Sequence, residues 1–221
     1  MAPAGGRNAT IAYVAPFLVY VAMFAIPLRP ELLHPIRFVI TLAVILWVSR
    51  PYLSLKPSHT LASIGVGIAV FVIWIAPDLL FGYRHFWLFE NALFGKATSS
   101  LDPALRHDYF FLTIRVLSSM ALVPILEELF WRGWLMRWLI DNQDFLKVPL
   151  GTYRASAFWI VAVLFASEHG VYWEVGLLAG IIYNWWIMRT KNLADCILAH
   201  AVTNGILAVY VLSSGQWQYW L

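Results

Sequence analysis

The chain has 221 residues, of which 61% are hydrophobic and 12% are charged. Soluble domains have roughly 45–50% apolar and about 25% charged residues, so this composition excludes an ordinary water-soluble monomer. The formal net charge is +3, but the Lys and Arg residues flank apolar segments and do not form a basic patch. This distribution argues against nucleic acid as a partner.

Apolar segments long enough to cross a bilayer recur along the whole chain. A spanning helix needs about 20 predominantly apolar residues. In chain order the segments are 8–28, 34–50, 60–83, 109–139, 155–173, 174–190 and 192–213. The first lacks a small-residue cleavage site and counts as a transmembrane helix. We predict an all-α fold, a polytopic membrane helix bundle of about seven transmembrane helices, as a single membrane-embedded domain over residues 1–221.

The segments between the helices carry the signals of membrane surfaces. Residues 84–108 mix charges with an apolar cluster that includes Leu93 and Phe94, and we predict that they lie at the interface as an amphipathic helix or a loop. If seven helices alternate, eight Lys and Arg residues fall on the side of the N-terminus and five on the other side. This asymmetry favours a cytoplasmic N-terminus.

The fourth segment carries charges at its centre, where it reads Pro124-Ile-Leu-Glu127-Glu128-Leu-Phe-Trp-Arg132-Gly133. Each ionised residue at the bilayer centre costs about 2.5–3.5 kcal/mol, so these side chains must face protein or trapped water. Helical spacing lets Glu128 pair with Arg132 and turns Glu127 elsewhere. Glu127 is then a carboxylate suited to act as a general base. The alternative is that all three charges form a structural ion network.

Three further patterns concern packing and the membrane surface. Trp131, Trp134 and Trp138 share one helix face and are typical of an interfacial aromatic belt. Gly176 and Gly180 form a small-xxx-small pair, which predicts close approach of a neighbouring helix. The last helix is expected to start at residue 192, with Asn192 as its N-cap and Asp195 at the positive end of its dipole.

Two histidines lie in other predicted helices. Phe165 and His169 share one face of the fifth helix, and His200 and Asn204 share one face of the seventh. A lone membrane histidine is usually a packing residue, but two of them beside a buried carboxylate indicate a site. Glu127 and His169 are expected to hold and deprotonate a water molecule, and the other pair to donate hydrogen bonds to an oxyanion. The sequence therefore contains the parts of a hydrolase.

The attacking group is predicted to be water, with or without a metal ion. Ser118, Ser119 and Ser167 lie outside any Gly-x-Ser-x-Gly turn, and the only cysteine, Cys196, is expected to be buried. One carboxylate and two imidazoles of this site have the residue types of a His₂Glu catalytic zinc site, although the His-Glu-x-x-His signature is absent. Zinc-bound water and metal-free water therefore both remain candidates, and we favour the metal-free form. The zinc ligands would be Glu127, His169 and His200.

These motifs together resemble those of a known family. Glu127 to Arg132 resembles the Glu-Glu-x-x-x-Arg motif of type II CAAX prenyl endopeptidases and their bacterial relatives, the CAAX protease and bacteriocin-processing family. Phe165 to His169 and His200 to Asn204 match its Phe-x-x-x-His and His-x-x-x-Asn motifs, within a core of about residues 115–212.

The resemblance implies a glutamate-dependent intramembrane endopeptidase of a bacterial inner membrane, acting on a peptide or membrane-protein substrate. It does not fix the substrate, because many bacterial members act where no prenylation exists. A non-catalytic bacteriocin-immunity or scaffold protein, or a small-solute or proton transporter, would also contain buried carboxylates and histidines. The intact motifs favour the protease, and the absence of internal repeats argues against a transporter. The implied catalytic residues are Glu127, His169, His200 and Asn204, with Glu128 and Arg132 in structural roles.

Overall fold

A computed structural model of the protein describes residues 6–92, 95–99 and 101–220. Over these ranges the chain forms seven helices that follow the seven predicted segments in order, with no strand beyond one isolated bridge between Asn91 and Gly95. The predicted all-α bundle is confirmed. The helices are α1 (Gly6–Ala22), α2 (Pro30–Tyr52), α3 (Thr60–Phe81), α4 (Tyr109–Trp138), α5 (Ala155–Ser167), α6 (Trp173–Thr190) and α7 (Leu193–Ser214).

The helices differ in how far they can reach across a bilayer. Among the described residues, five helices (α1 to α4 and α7) are long and apolar enough to cross a membrane. α5 has 13 residues, or about 20 Å, against a hydrocarbon core of about 30 Å. The predicted fifth helix, 155–173, was therefore too long. α5 ends at Ser167 because Gly170, with φ of +51°, leaves the helical conformation, and His169 consequently lies in a turn.

The connection between α3 and α4 is the longest in the described chain. It contains short 3₁₀ turns at Tyr83–His85 and Pro103–His107 and is otherwise irregular. Phe86 and Trp87 are 68% and 76% exposed, as expected of aromatic side chains at a membrane surface. Leu93 and Phe94 of the predicted apolar cluster lie outside the described residues.

α4 contains two π-helical turns, Ser118–Leu122 and Leu129–Leu135. In the first, the Val123 N–H donates to the carbonyl of Ser118, five residues back. The next residue is Pro124, which has no N–H, so this register leaves the Ser119 carbonyl without its backbone donor. That carbonyl instead accepts a hydrogen bond from the Asn204 side-chain amide at 2.8 Å. The π turn thereby links α4 to α7.

The start of α7 is fastened to the start of α3. Asn192 caps α7 as predicted, since its Oδ1 accepts the Ala194 N–H at 2.9 Å. Asp195 is fully buried and reaches across to α3, where it accepts from the His59 N–H and the Ser58 hydroxyl, both at 2.9 Å. The carboxylate therefore satisfies free donors at the N-terminus of a second helix, in addition to its predicted place in the first turn of its own.

Replacing Asp195 with alanine is expected to lower the free energy of unfolding by about 1–3 kcal/mol, because the donors at the start of α3, which include the buried Ser63 hydroxyl, lose their charged acceptor. Asp195→Asn should lose less, since its carboxamide oxygen can still accept from the His59 N–H. Thermal melting of the full chain in detergent checks this order. Equal melting temperatures for wild type and Asp195→Ala would contradict it.

Candidate active site

A cavity of about 360 Å³ lies between α3, α4, α6 and α7 and is bounded by the turn that follows α5. This volume is within the usual range of ligand pockets. Four of its lining side chains are the predicted catalytic residues Glu127, His169, His200 and Asn204. The fold thus brings together side chains that come from three separate motifs.

The two predicted structural residues lie behind the cavity wall. Glu128 and Arg132 are both fully buried, and Nη1 of Arg132 is 3.0 Å from Oε1 of Glu128, so the predicted pairing is confirmed. Arg132 also donates to Oδ1 of Asn184 at 2.9 Å and to the Gly180 carbonyl at 3.3 Å. These bonds connect α4 to α6 and compensate the desolvation of the buried ion pair.

Glu128 orients His200. Nδ1 of His200 lies 3.0 Å from Oε1 of Glu128, the oxygen that also accepts from Arg132, so Nδ1 is the donor. Tyr183 stacks on the imidazole, with ring centroids 5.1 Å apart, and its hydroxyl donates to Thr203 at 2.8 Å. The ring is therefore fixed from two directions, and its Nε2 is left on the cavity side.

Glu127 contacts His200 and not His169. Its Oε2 is 4.0 Å from Nε2 of His200, longer than a hydrogen bond. This oxygen is buried and has no hydrogen-bond partner among the described residues. We find no hydrogen bond or ion pair between Glu127 and His169 within the same residues, so the direct pairing predicted for them is not observed. The reason lies in how the His169 ring is held.

His169 is held by the backbone of its own turn. Its Nδ1 lies 2.7 Å from the Phe165 carbonyl oxygen, which can only accept, so Nδ1 carries the proton and Nε2 is free to accept. The ring packs edge-on against Trp74, with centroids 5.2 Å apart. On its other side it touches Gly176, where an added Cβ would lie 3.0 Å from Cγ and Nδ1 of the imidazole. The predicted close packing at Gly176 therefore serves this histidine.

If His169 has the catalytic role that the sequence predicts, Gly176→Ala is expected to lower kcat/KM of the predicted peptide cleavage by about 10-fold or more, because the new methyl group displaces the His169 ring and small misplacements are costly in catalysis. Gly65→Ala is the matched control, because a Cβ there meets no atom within 4 Å. Cleavage rates and melting temperatures of the two variants should be compared. A Gly176→Ala enzyme as active as Gly65→Ala would show that the contact does not position the ring.

Gly180 has a different neighbour from Gly176. A Cβ at Gly180 would lie 3.2 Å from the backbone of Ala162 on α5. This contact is of the kind predicted for the small-xxx-small pair, in which two helix backbones approach closely. It positions α6, and with it Tyr183, against the short fifth helix.

Glu168 lines the cavity but is not among the predicted site residues, and Trp131 donates a hydrogen bond to it. Trp131 is only 5% exposed, and its Nε1 donates to Oε2 of Glu168 at 3.1 Å. The predicted aromatic belt is therefore wrong for Trp131, whereas Trp138 is 36% exposed. Glu168 itself lines the cavity. The sequence did contain a signal for Glu168. An acidic side chain in an apolar membrane segment costs free energy there just as Glu127 does in α4.

An aromatic wall lines one side of the cavity. It consists of side chains from α3, from the turn before α6 and from the segment after α7, namely Trp74, Tyr172, Tyr219 and Trp220. The segment after α7 is held down by hydrogen bonds from Tyr219 to Asp78 at 2.6 Å and from Arg115 to the Trp220 carbonyl at 3.0 Å. These residues share no sequence motif, so only the fold reveals their proximity.

The other nucleophiles and the metal ligands can also be placed. Cys196 is fully buried, as predicted, and does not line the cavity. The Ser119 and Ser167 hydroxyls donate to carbonyls of their own helices. In the described part of the chain, no three His, Cys, Asp or Glu side chains are arranged to bind a metal ion. The predicted zinc ligands Glu127, His169 and His200 thus do not form a ligand set as they stand.

Comparison with models of known protein families gives a match in the second half of the chain. Residues 109–206 match the model of the family described as type II CAAX prenyl endopeptidase Rce1-like. No curated protein and no solved structure matches the chain. The matched residues contain all three motifs and the helices that carry them. Through this region, which is less than half of the chain, the protein is similar to the type II CAAX prenyl endopeptidase Rce1-like family, and this similarity together with the spanning helices supports an integral membrane protease of the CAAX type.

Proposed function

We propose that the protein is a glutamate-dependent intramembrane endopeptidase in which Glu127 activates water for attack on a peptide bond. The observation that carries the proposal is the position of Oε2 of Glu127, which is buried, lacks a hydrogen-bond partner in the described structure and lies 4.0 Å from Nε2 of His200. A carboxylate oxygen held in this way beside a cavity is suited to accept a proton from water.

The cavity residues support the following sequence of steps. Glu127 takes a proton from a water molecule, which Nε2 of His169 orients by accepting its second hydrogen, as the water oxygen attacks the carbonyl carbon. The carbonyl oxygen becomes an oxyanion. The C–N bond then breaks, the amine takes the proton from Glu127, and the acyl carbon leaves as a carboxylic acid. No step requires a protein nucleophile or a metal ion.

His200 and Asn204 are proposed to stabilise the oxyanion. One N–H of the Asn204 carboxamide is already bonded to the Ser119 carbonyl, so the second N–H is the one available to substrate. Nδ1 of His200 is bonded to Glu128, so its contact with the oxyanion must come from Nε2, and the ring must carry both protons. The Ser119 and Glu128 contacts therefore aim two donors into the cavity.

The substrate is proposed to be a segment of a membrane-associated or lipid-modified protein, in a bacterial inner membrane. Trp74, Tyr172, Tyr219 and Trp220 give the cavity a largely aromatic wall, which favours apolar side chains next to the cleaved bond. Charged side chains would be desolvated there without a partner, at considerable cost.

The proposal predicts that His169→Gln lowers cleavage by at least about 10²-fold, since the flexible glutamine side chain lacks the ring that the Phe165 carbonyl and Trp74 hold in place, and so does not fix an acceptor at the position of Nε2. The assay uses the purified full chain in detergent with a set of apolar peptides, and mass spectrometry identifies the products. His107→Gln is the control, because His107 is exposed and does not line the cavity.

The same assay tests the role of metal. A strong chelator is expected to leave cleavage unchanged, and inhibition that zinc reverses would contradict metal-free water activation. Equal activity of the His169→Gln and His107→Gln enzymes would contradict the role of His169. A folded wild type that cleaves no tested peptide would favour an immunity or scaffold protein.

A further inference from the structure

We infer that the cavity opens on the non-cytoplasmic side of the membrane, so that the protease cleaves apolar segments of membrane or exported proteins that are presented on that face. The choice of substrate rests on the proposed function. The sidedness rests on the distribution of charge and on the depth of the cavity, and is independent of catalysis.

The two ends of the helix bundle differ in exposed positive charge. At one end, which we call the cationic end, lie the connections from α2 to α3, from α4 to α5 and from α6 to α7. Its six exposed Lys and Arg side chains are Arg50, Lys56, Lys147, Arg154, Arg189 and Lys191. Among the Lys and Arg side chains described at the opposite end, only Arg29 and Lys96 are exposed.

The difference in positive charge between the two ends is larger when only exposed side chains are counted. Arg37 and Arg84, which count toward the opposite end in the sequence, are 3% and 2% exposed. Arg37 is stacked on the ring of Phe24, and Arg84 pairs with Asp78 and Glu174. Such residues are neutralised or shielded within the protein and offer little charge to the membrane surface. Because Lys and Arg in short connections are retained in the cytoplasm, the cationic end is cytoplasmic.

The depth of the turn after α5 shows from which side water enters. α5 begins at the cationic end, next to Arg154, and rises about 20 Å over its 13 residues. The turn is then about 10 Å short of the far surface of a hydrocarbon core of about 30 Å. Glu168 and Gly170 are exposed in this turn. Irregular backbone at such a depth is tolerated only in protein or beside water, and the nearer water is at the opposite end.

The residues that line the cavity also indicate that it opens at the opposite end. The connecting segments that line it, the turn at Glu168–Tyr172 and the segment with Tyr219 and Trp220, all belong to the opposite end. No described residue of the connections at the cationic end lines it. On that side the bundle is filled by the contacts between α3, α6 and α7, where Trp186 donates to Ser63 and Ser63 donates to Asp195.

This placement defines which substrates can reach Glu127. A cytoplasmic protein tail would have to cross the packed cationic end, whereas a segment on the non-cytoplasmic face can enter past Glu168. The aromatic wall of Trp74, Tyr172 and Trp220 lies along that path, so the entering segment should be apolar. The chemistry thus points to juxtamembrane or terminal segments of membrane and exported proteins.

Cysteine labelling of the full chain in sealed right-side-out vesicles tests the sidedness without any need for activity. Thr98→Cys reports the opposite end and Asn142→Cys the cationic end, and both positions are exposed and uncharged. With a membrane-impermeant maleimide, we expect labelling of Thr98→Cys in sealed vesicles and of Asn142→Cys only after permeabilisation. Wild type, with its buried Cys196, is the unlabelled control.

Labelling of Asn142→Cys in sealed vesicles, alone or together with Thr98→Cys, would overturn the inference. A second arm presents one apolar cleavable segment on either face of the membrane as a fusion to a single-span protein, with cleavage expected only on the non-cytoplasmic face. Cleavage on the cytoplasmic face would overturn the substrate assignment. Correct labelling with an enzyme that cleaves nothing in detergent would instead refute the proposed function and leave the sidedness intact.

Discussion

Glu127→Gln is expected to lower kcat/KM of peptide cleavage by about 10²–10⁴-fold, the usual contribution of a general base. The carboxamide has nearly the same shape as the carboxylate but cannot accept a proton from water. Since Oε2 of Glu127 makes no hydrogen bond to the described protein, the substitution should leave the fold and the melting temperature almost unchanged. We therefore expect this variant to lose its cleavage activity and to keep its melting temperature.

The matched control for Glu127→Gln is Glu31→Gln, which removes the same charge from an exposed position at the start of α2. Cleavage of one peptide by both variants should be measured in detergent, where the sides of the membrane play no part. An active Glu127→Gln enzyme would remove the carboxylate from the mechanism. An inactive one that also unfolds early would show that the residue supports the fold, which the geometry does not predict.

Arg132→Met is expected to lower the free energy of unfolding by about 3–5 kcal/mol, the range for breaking a buried ion pair from one side. Glu128 and Arg132 are both fully buried. Without the guanidinium, Glu128 keeps His200 as its neighbour, and the acceptors Asn184 Oδ1 and the Gly180 carbonyl lose their donor. Thermal unfolding in detergent measures the loss. Arg154→Met, at an exposed position, should change little.

A double variant distinguishes the contribution of the Glu128–Arg132 pair to stability from its contribution to cleavage. In Arg132→Met with Glu128→Leu no charge of the pair remains, and replacing a whole buried ion pair with apolar side chains is often nearly neutral. We expect it to recover part of the lost stability but not the cleavage, because His200 no longer has Glu128 to orient it. Recovery of both would mean that the orientation of His200 by Glu128 has no role in the reaction.

The helices and the pairing within α4 were predictable from the sequence. Apolar length alone located seven helices, and i, i+4 spacing paired Glu128 with Arg132 and separated Glu127. The end of α5 was not predictable, because Ala155 to Tyr172 is apolar apart from two serines, Glu168 and His169, and one positive φ at Gly170 decides it. The first π turn of α4 depends on Pro124 together with the contact from Asn204 of α7, which no local pattern encodes.

The candidate site was predictable as a set of residues but not as a set of contacts. The motifs identified the four side chains that line one cavity, yet spacing could not decide which imidazole faces Glu127. That choice depends on the Phe165 carbonyl, which holds the His169 ring, and on Glu128, which holds His200. The aromatic wall could not be found from the sequence, since Trp74, Tyr172 and Trp220 come from distant parts of the chain.

The missing N–H of Pro124 couples substrate entry to the geometry of catalysis. The Ser119 carbonyl that it frees is bonded to Asn204, so the distance between α4 and α7 and the direction of the remaining carboxamide hydrogen change together. A peptide bulky enough to wedge these two helices apart would rotate that donor away from the reacting oxygen. With Asn204 in its proposed role, we expect slender peptides, which pass without parting α4 and α7, to be cleaved faster than bulky ones.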